Sequence, residues 1–379
     1  MRRRALLATA LVLAACHGDD GGGACEATLG LSGGECATVR AMRLPSALPR
    51  ARGNLYGDRE DAATLGFKLF FRRNLGHGTS CANCHQPELT FTDRLSVSVG
   101  NGEGTRNAPT VFNAARLSVM FWDGKADSLW SQPLFAIENP VEMASSRVEL
   151  LQTIAADTTL RPLYEAVFGA LPDTASLPAT GKPGDASWDA LSVEQQTAVN
   201  RFAANIGKAF EAYQRKNTTG DASLDRYLDG DLTAIGDLAK QGLVTFVRAG
   251  CAKCHAGSSF TDEKFHDAGF GSVGDDAGRA GAIAVLESNP FTLAGPFSDE
   301  KFTVDTSDRT PGAFRTAPLR NVSKTGPYGH AGTYDTLGAT LAFHAATLSD
   351  TERGALLAFL LELNGDYPMR PWSDWPQPQ

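Results

Sequence analysis

Apolar residues recur at helical spacing through DREDAATLGFKLFFRR (58–73), which predicts an amphipathic helix. Residues 86–118 are instead rich in Gly, Asn, Thr and Pro (SVGNGEGTRNAPTVFN) and predict a loop-dominated pocket wall. Helical periodicity returns from Ser146 to Gly169 and lapses over a Pro/Gly/Asp-rich excursion from Ala170 to Ser187. It resumes in Val193–Lys216, a long amphipathic segment expected to bridge two halves of the chain. Strand signals are few, so the fold class is mainly α with long irregular loops. The pattern also repeats: LGFKLFFRRNLGHGTSCANCHQPELTFTD resembles QGLVTFVRAGCAKCHAGSSFTD. Each runs from an apolar helix through CxxCH to Phe-Thr-Asp, as a duplicated module would.

With 379 residues, the chain can form two globular units, each with its own core. Its 42% hydrophobic and 21% charged residues suit a soluble globule. A net charge of -8, with no Lys/Arg-rich block, argues against nucleic acid as a partner. The N-terminus adds an address. Arg2, Arg3 and Arg4 precede the apolar run Ala5 to Ala15, which is shorter than the ~20 residues a membrane span needs. That run ends Leu13-Ala14-Ala15-Cys16, resembling a bacterial lipobox with Cys16 as the lipidated residue; the alternative is an ordinary cleaved signal peptide. Either reading exports the protein, and the first makes it a periplasmic lipoprotein whose only membrane contact is the anchor. Residues 17–49 then read as a flexible tether, with HGDDGGG after Cys16. Cys25 and Cys36 are expected to form a disulfide in an oxidising compartment, with two free thiols as the alternative.

The other four cysteines carry the chemistry. Cys81-Ala82-Asn83-Cys84-His85 and Cys251-Ala252-Lys253-Cys254-His255 are haem c attachment motifs. Two thiols on one helical turn meet the two haem vinyl groups, and the adjacent histidine becomes the proximal iron ligand. Zinc would want further Cys or His partners in tetrahedral sets, and none lie nearby in sequence. The second axial position on each iron decides what the protein does. His17 lies in the tether; His77 and His266 flank the motifs; His330 and His344 are the candidates for a distal ligand.

Further segments carry a family pattern: FWDGKADSLWSQPLFAIENPVEM (121–143), RNAPTVFNAAR (106–116), LDRYLDGD (224–231) and TAPLRNVSKTGPYGH (316–330). In this order around two CxxCH motifs, they resemble the bacterial di-haem cytochrome c peroxidase/MauG superfamily over nearly all of residues 50–370. The resemblance implies two cytochrome c-like domains, a peroxidatic one over 50–195 and a low-spin one over 196–372, each with one covalent haem. It places Trp122 between the haems as the electron bridge. Glu142 becomes the acid–base group of the peroxide pocket and Gln132 its neighbour. Asn107, Thr325 and Pro327 match a calcium site between the domains. Ala136 stands where many relatives have proline.

Two departures from the pattern shape the expected activity. Where the peroxidases of the family cap the first haem with a histidine, this chain has Gly100-Asn101-Gly102, so the first haem is expected to be open to peroxide. Where relatives offer methionine or tyrosine to the second haem, His344 falls in place on TLGATLAFHAATL, with residues 337, 341 and 344 on one face. His255 and His344 are then the axial pair, with His330 as the rival. Two histidines lower the potential relative to methionine, which favours holding oxidising equivalents. The combination resembles the MbnH-type di-haem enzymes. It implies a peroxide-dependent oxidoreductase that forms a high-valent bis-haem state through Trp122 and oxidises an exported partner protein, possible chemistry being Trp to kynurenine in a copper-binding protein. The alternatives are a cytochrome c peroxidase fed by a small cytochrome or cupredoxin, and a pure electron-transfer cytochrome.

Overall fold

The computed structural model describes residues 21–368, 371–372 and 374–376. Cys16, its leader and His17 lie outside them. Two short helices, α1 (Gly21–Leu29) and α2 (Gly33–Arg40), open the described chain. They are joined by a Cys25–Cys36 disulfide. Ser32 and Glu35 form a capping box that starts α2. This corrects the expectation of a flexible tether. Leu29, Leu31, Cys36, Val39 and Met42 are buried in the core of the chain's second half. Gly-rich composition hid these few apolar anchors, and burying them outweighs the entropy of ordering the segment.

Each half is built on a crossed helix pair. In the first, α3 (Glu60–Phe70) carries acidic residues in its first turn and Lys68 in its last, matching the helix dipole. A turn later the short α4 (Cys81–Cys84) holds the first motif. The segments expected to be irregular are so, with α5 (Gln132–Glu138) leading into α6 (Arg147–Ala156) and α7 (Leu160–Phe168). After a one-turn α8 (Ala186–Asp189), the capping box Ser192/Gln195 starts α9 (Val193–Gln214). This helix does not bridge two halves. Its buried face, Val199 through Tyr213, lies in the first core with Leu65, Phe70 and Trp130. The expected division after residue 195 therefore falls inside a helix of the first half.

The second half repeats the plan. Following α10 (Ser223–Leu228), α11 (Asp237–Arg248) leads into the second motif, and α12 (Arg279–Ser288) sits within a long excursion. That excursion is closed by a two-residue antiparallel pair, β1 (Phe265–His266) with β2 (Phe314–Arg315). Then come α13 (Leu337–His344) and α14 (Asp350–Leu361). The crossing of α3 with α9 and that of α11 with α14 share one device. A Cβ added at Gly66 would lie 2.0 Å from the Ala209 carbonyl oxygen; one at Gly242 would lie 2.0 Å from that of Ala355. Only a hydrogen side chain allows either approach.

Several contacts tie the halves, two of them through whole segments. Residues 289–302 pass from the second half into the first core, where Phe291 and Phe297 are buried. Asp299 there accepts a hydrogen bond from the buried Lys208 of α9 at 2.5 Å. Elsewhere the halves exchange hydrogen bonds reciprocally. The Arg315 N–H donates to the Trp122 carbonyl at 2.7 Å, and the Asn107 N–H donates to the His330 carbonyl at 2.8 Å. The two tight loops involved, Met120–Ala126 and Tyr328–Tyr334, each close with an antiparallel bridge. Both carry left-handed residues at the same places: Phe121 and Gly124 in one, Gly329 and Gly332 in the other. Trp122 and His330 thus occupy equivalent positions. Among the described residues, no helix is long and apolar enough to cross a membrane.

Candidate active site

Both motif histidines are prepared in the same way. His85 Nδ1 lies 3.2 Å from the Phe91 carbonyl and His255 Nδ1 lies 3.1 Å from that of Phe260. With Nδ1–H donating there, each ring is left with a bare Nε2, the nitrogen a metal would take. Burial holds both imidazoles below the usual histidine range, so they are neutral, as ligands must be. The two acceptor residues adopt the left-handed region, Phe91 at φ 53° and Phe260 at φ 55°, turning each carbonyl toward its histidine. Phe-Thr-Asp is visible as a repeat in the sequence, but this task of its phenylalanine is not.

Around His255 the chain encloses a cavity of about 530 Å³, of the size of a cofactor site. Cys251, Cys254 and His255 line one wall and His344 another. The His255 and His344 ring centroids are 6.4 Å apart, with ring planes at 89°. An iron bound by both at roughly 2 Å per nitrogen would put the centroids about 6 Å apart, so the space fits a six-coordinate haem. Burial also depresses the His344 imidazole, although its ring is open toward the cavity. His330 lines the same cavity but is committed elsewhere: Nε2 is 2.8 Å from Ser272 Oγ, and its ring stacks on Phe314 at 3.5 Å. Arg315 was not anticipated from the sequence. It is buried on the cavity wall with Nη1 unpartnered, a cation suited to a haem propionate.

The first site is narrower. Its cavity of about 60 Å³ is lined by Cys81, Cys84 and His85 on one side and by Gln132, Ala136 and Glu142 on the other. The fit of a haem here rests on the donor set, two thiols flanking one helical turn and a histidine with a bare Nε2, rather than on volume. The Glu142 carboxylate is aimed by Asn139, whose Nδ2 donates to Oε1 at 2.6 Å. Asn101 does not reach into this cavity. Its Nδ2 donates to the Pro140 carbonyl at 2.9 Å and its N–H to that of Glu142 at 2.8 Å. Gly100 packs so closely beneath Glu142 that a Cβ would lie 2.5 Å from the Glu142 carbonyl oxygen. No second histidine lines the first cavity among the described residues; His77 sits 3.4 Å from Glu149 instead.

Trp122 lines the second cavity and donates its indole N–H to the Asn107 carbonyl at 2.9 Å. Asn107, Thr325 and Pro327 all line that cavity. Asn107 Nδ2 donates to the Leu95 carbonyl at 2.8 Å. Arg106, also missed from the sequence, pairs with Asp123 at 2.6 Å and with Asp276 at 2.8 Å, fixing the Trp122 loop. Cys254, Asp262 and His266 bring ligating atoms within 4.8 Å of one another. However, the cysteine belongs to the haem motif, and His266 is bonded to Asp262 at 3.0 Å.

Two CxxCH cradles, one cavity faced by a carboxylate and the other by a second histidine, define a di-haem c-type oxidoreductase. The comparisons agree. Residues 60–233 match the family model for di-haem cytochrome c peroxidase. The cytochrome c551 peroxidase of Pseudomonas aeruginosa is 31% identical over 345 residues, 87% of each chain. The methylamine utilization protein MauG of Methylorubrum extorquens is 31% identical over 365 residues, 91% of this chain and 89% of that one. This chain belongs to the di-haem cytochrome c peroxidase family and is an enzyme of that class. Its fold is shared with a MauG-like protein associated with microbial copper homeostasis (TM-score 0.62, 23% identity, 89% of this chain and 97% of that one). The diheme peroxidase BthA of Burkholderia thailandensis is also similar (TM-score 0.61, 19% identity, 86% and 94%).

Proposed function

We propose that this protein uses hydrogen peroxide at the His85 site and oxidises an exported partner protein through the His255/His344 site. The observation that carries this reading is the 6.4 Å separation of the His255 and His344 rings, which suits a bis-histidine haem. Once bound, the two haems supply the two-electron redox chemistry with peroxide. The protein's part is positioning and proton transfer. Glu142, with Oε1 held by Asn139, takes a proton from peroxide on Oε2 and returns it to the departing oxygen as water. Gln132 lines the same cavity and orients the peroxide. Asn101, turned to Pro140, stays out of the cavity that Glu142 lines. Trp122 carries electrons between the sites. Arg315 would hold a propionate, and Asn107, Thr325 and Pro327 would hold a calcium ion at the seam between the halves. Phe270 packs 5.5 Å from His344, and Phe343 beside it is exposed, offering the partner an aromatic contact.

The partner is a periplasmic protein, with an oxidisable tryptophan of a copper-binding protein as the substrate class, and the enzyme is anchored by lipid at Cys16. The second reading, a cytochrome c peroxidase fed by a small cytochrome or cupredoxin, is favoured by the likeness to the Pseudomonas aeruginosa enzyme. The two are separated by adding hydrogen peroxide to the di-ferric protein without a donor and following optical and EPR spectra. Rapid loss of both ferric signals is expected. A requirement for prior one-electron reduction would overturn the proposal in favour of the second reading, as would rapid steady-state turnover with a reduced cytochrome.

A further inference from the structure

Near the end of the described chain, Tyr367 and Trp375 return to the first half and pack behind the proximal histidine. Phe91, whose carbonyl accepts from His85, is fully buried. The Trp375 ring stands edge-on to it at 5.5 Å. Trp375 in turn lies 6.2 Å from Tyr367, which is 45% exposed. Tyr367 has a second approach: it stacks on Phe112 at 5.2 Å, and Phe112 is 4.9 Å from Phe91. Its hydroxyl lies 3.3 Å from Thr90 Oγ1, and Lys324 Nζ sits 5.2 Å from its ring centroid. The Trp375 indole is directed at the Tyr213 hydroxyl.

Tryptophan and tyrosine are the side chains most easily oxidised by one electron. Here they form a chain from the ring beside His85 to the surface, on the side away from Glu142. We propose that Trp375 and Tyr367 are an internal electron-donating relay through which the chain discharges an undelivered oxidising equivalent when no partner is docked. The inference rests on the reading that peroxide reacts at the His85 site. In the first step one electron passes from the Trp375 indole to the oxidised centre, which is reduced by one electron. Tyr367 then gives an electron to the indole and its phenolic proton to water, restoring Trp375. The positive charge of Lys324 over the ring favours loss of that proton. Tyrosyl radicals on two molecules couple to a dityrosine. The sum is one hydrogen peroxide and two tyrosines giving two waters and one dityrosine.

The test adds hydrogen peroxide to the holoenzyme without partner or donor, follows the haem spectra, and maps cross-links by peptide mass spectrometry. In the wild type a dityrosine-linked dimer joined at Tyr367 is expected. It should be lost in Tyr367→Phe and in Trp375→Phe. Trp375→Tyr should restore it, because a tyrosine can still pass the electron whereas a merely structural ring would give no such pattern. Responsive haem spectra with no product at Tyr367, or a product that persists in Trp375→Phe, would overturn the relay alone. Haem spectra indifferent to peroxide would overturn the reading of the His85 site and the relay with it.

Discussion

His344 and Glu142 are single side chains on which the proposed activity turns, and each yields a distinct prediction. His344→Ala should convert the second haem to a high-spin form while both haems stay covalently attached, read by EPR and by a haem-stained gel; a surviving low-spin signal would transfer the ligand role to His330. Glu142→Gln keeps the hydrogen-bonding outline but removes the proton acceptor, so peroxide activation should slow by about 10²–10⁴-fold with unchanged ferric spectra. Glu211 offers a pH test. It is buried beside Lys208 and accepts from Asn54 Nδ2 at 2.9 Å, and burial pushes its carboxyl from 4.5 up to about 7. The folded state therefore holds a proton that the unfolded chain has released. Stability should fall as pH rises from about 4.5 to about 7 and level off above. Glu211→Gln should flatten that slope in thermal melts. That His85, Gln132 and Glu142 would share one cavity, and His255 and His344 the other, was legible in the sequence because each could be placed against the CxxCH motifs or the family segments. Arg315, Arg106 and the carbonyls of Phe91 and Phe260 were not, since their roles arise from backbone turns and contacts across the seam.

The helix crossings show what periodicity can and cannot convey. The 58–73 and 193–216 patterns correctly predicted α3 and α9, because a buried stripe imposes its period on the sequence. That α9 packs against α3, rather than joining the halves, is carried by Gly66 and the Ala209 carbonyl, a pairing no periodicity encodes. Isolated helix propensity would favour Gly66→Ala by about 1 kcal/mol. The 2.0 Å approach reverses the sign: the crossing must open, at a cost of roughly 3 kcal/mol. Denaturant titration of Gly66→Ala should show that loss; a neutral or stabilising result would mean the crossing yields freely. The α1–α2 segment was misread for the opposite reason, being held by four apolar side chains and a disulfide inside a glycine-rich composition.

On the scale of the molecule, the strap over 289–302 makes the first core depend on the second half. Asp299→Ala would leave Lys208 buried without its partner and should destabilise the first half by about 3–5 kcal/mol, seen as an earlier denaturant midpoint at the first haem. The reciprocal bonds between the Trp122 and His330 loops bear on how such a chain could arise. They are the contacts that two identical single-haem subunits would make across a twofold axis. In a homodimer any substitution appears on both sides of that axis, so an indole at one place demands an indole at the other. Fusion of two gene copies removes the demand. Tryptophan could then settle in one loop and histidine in its counterpart, and a symmetric pair of equal centres could become a sequence of unequal ones with a direction.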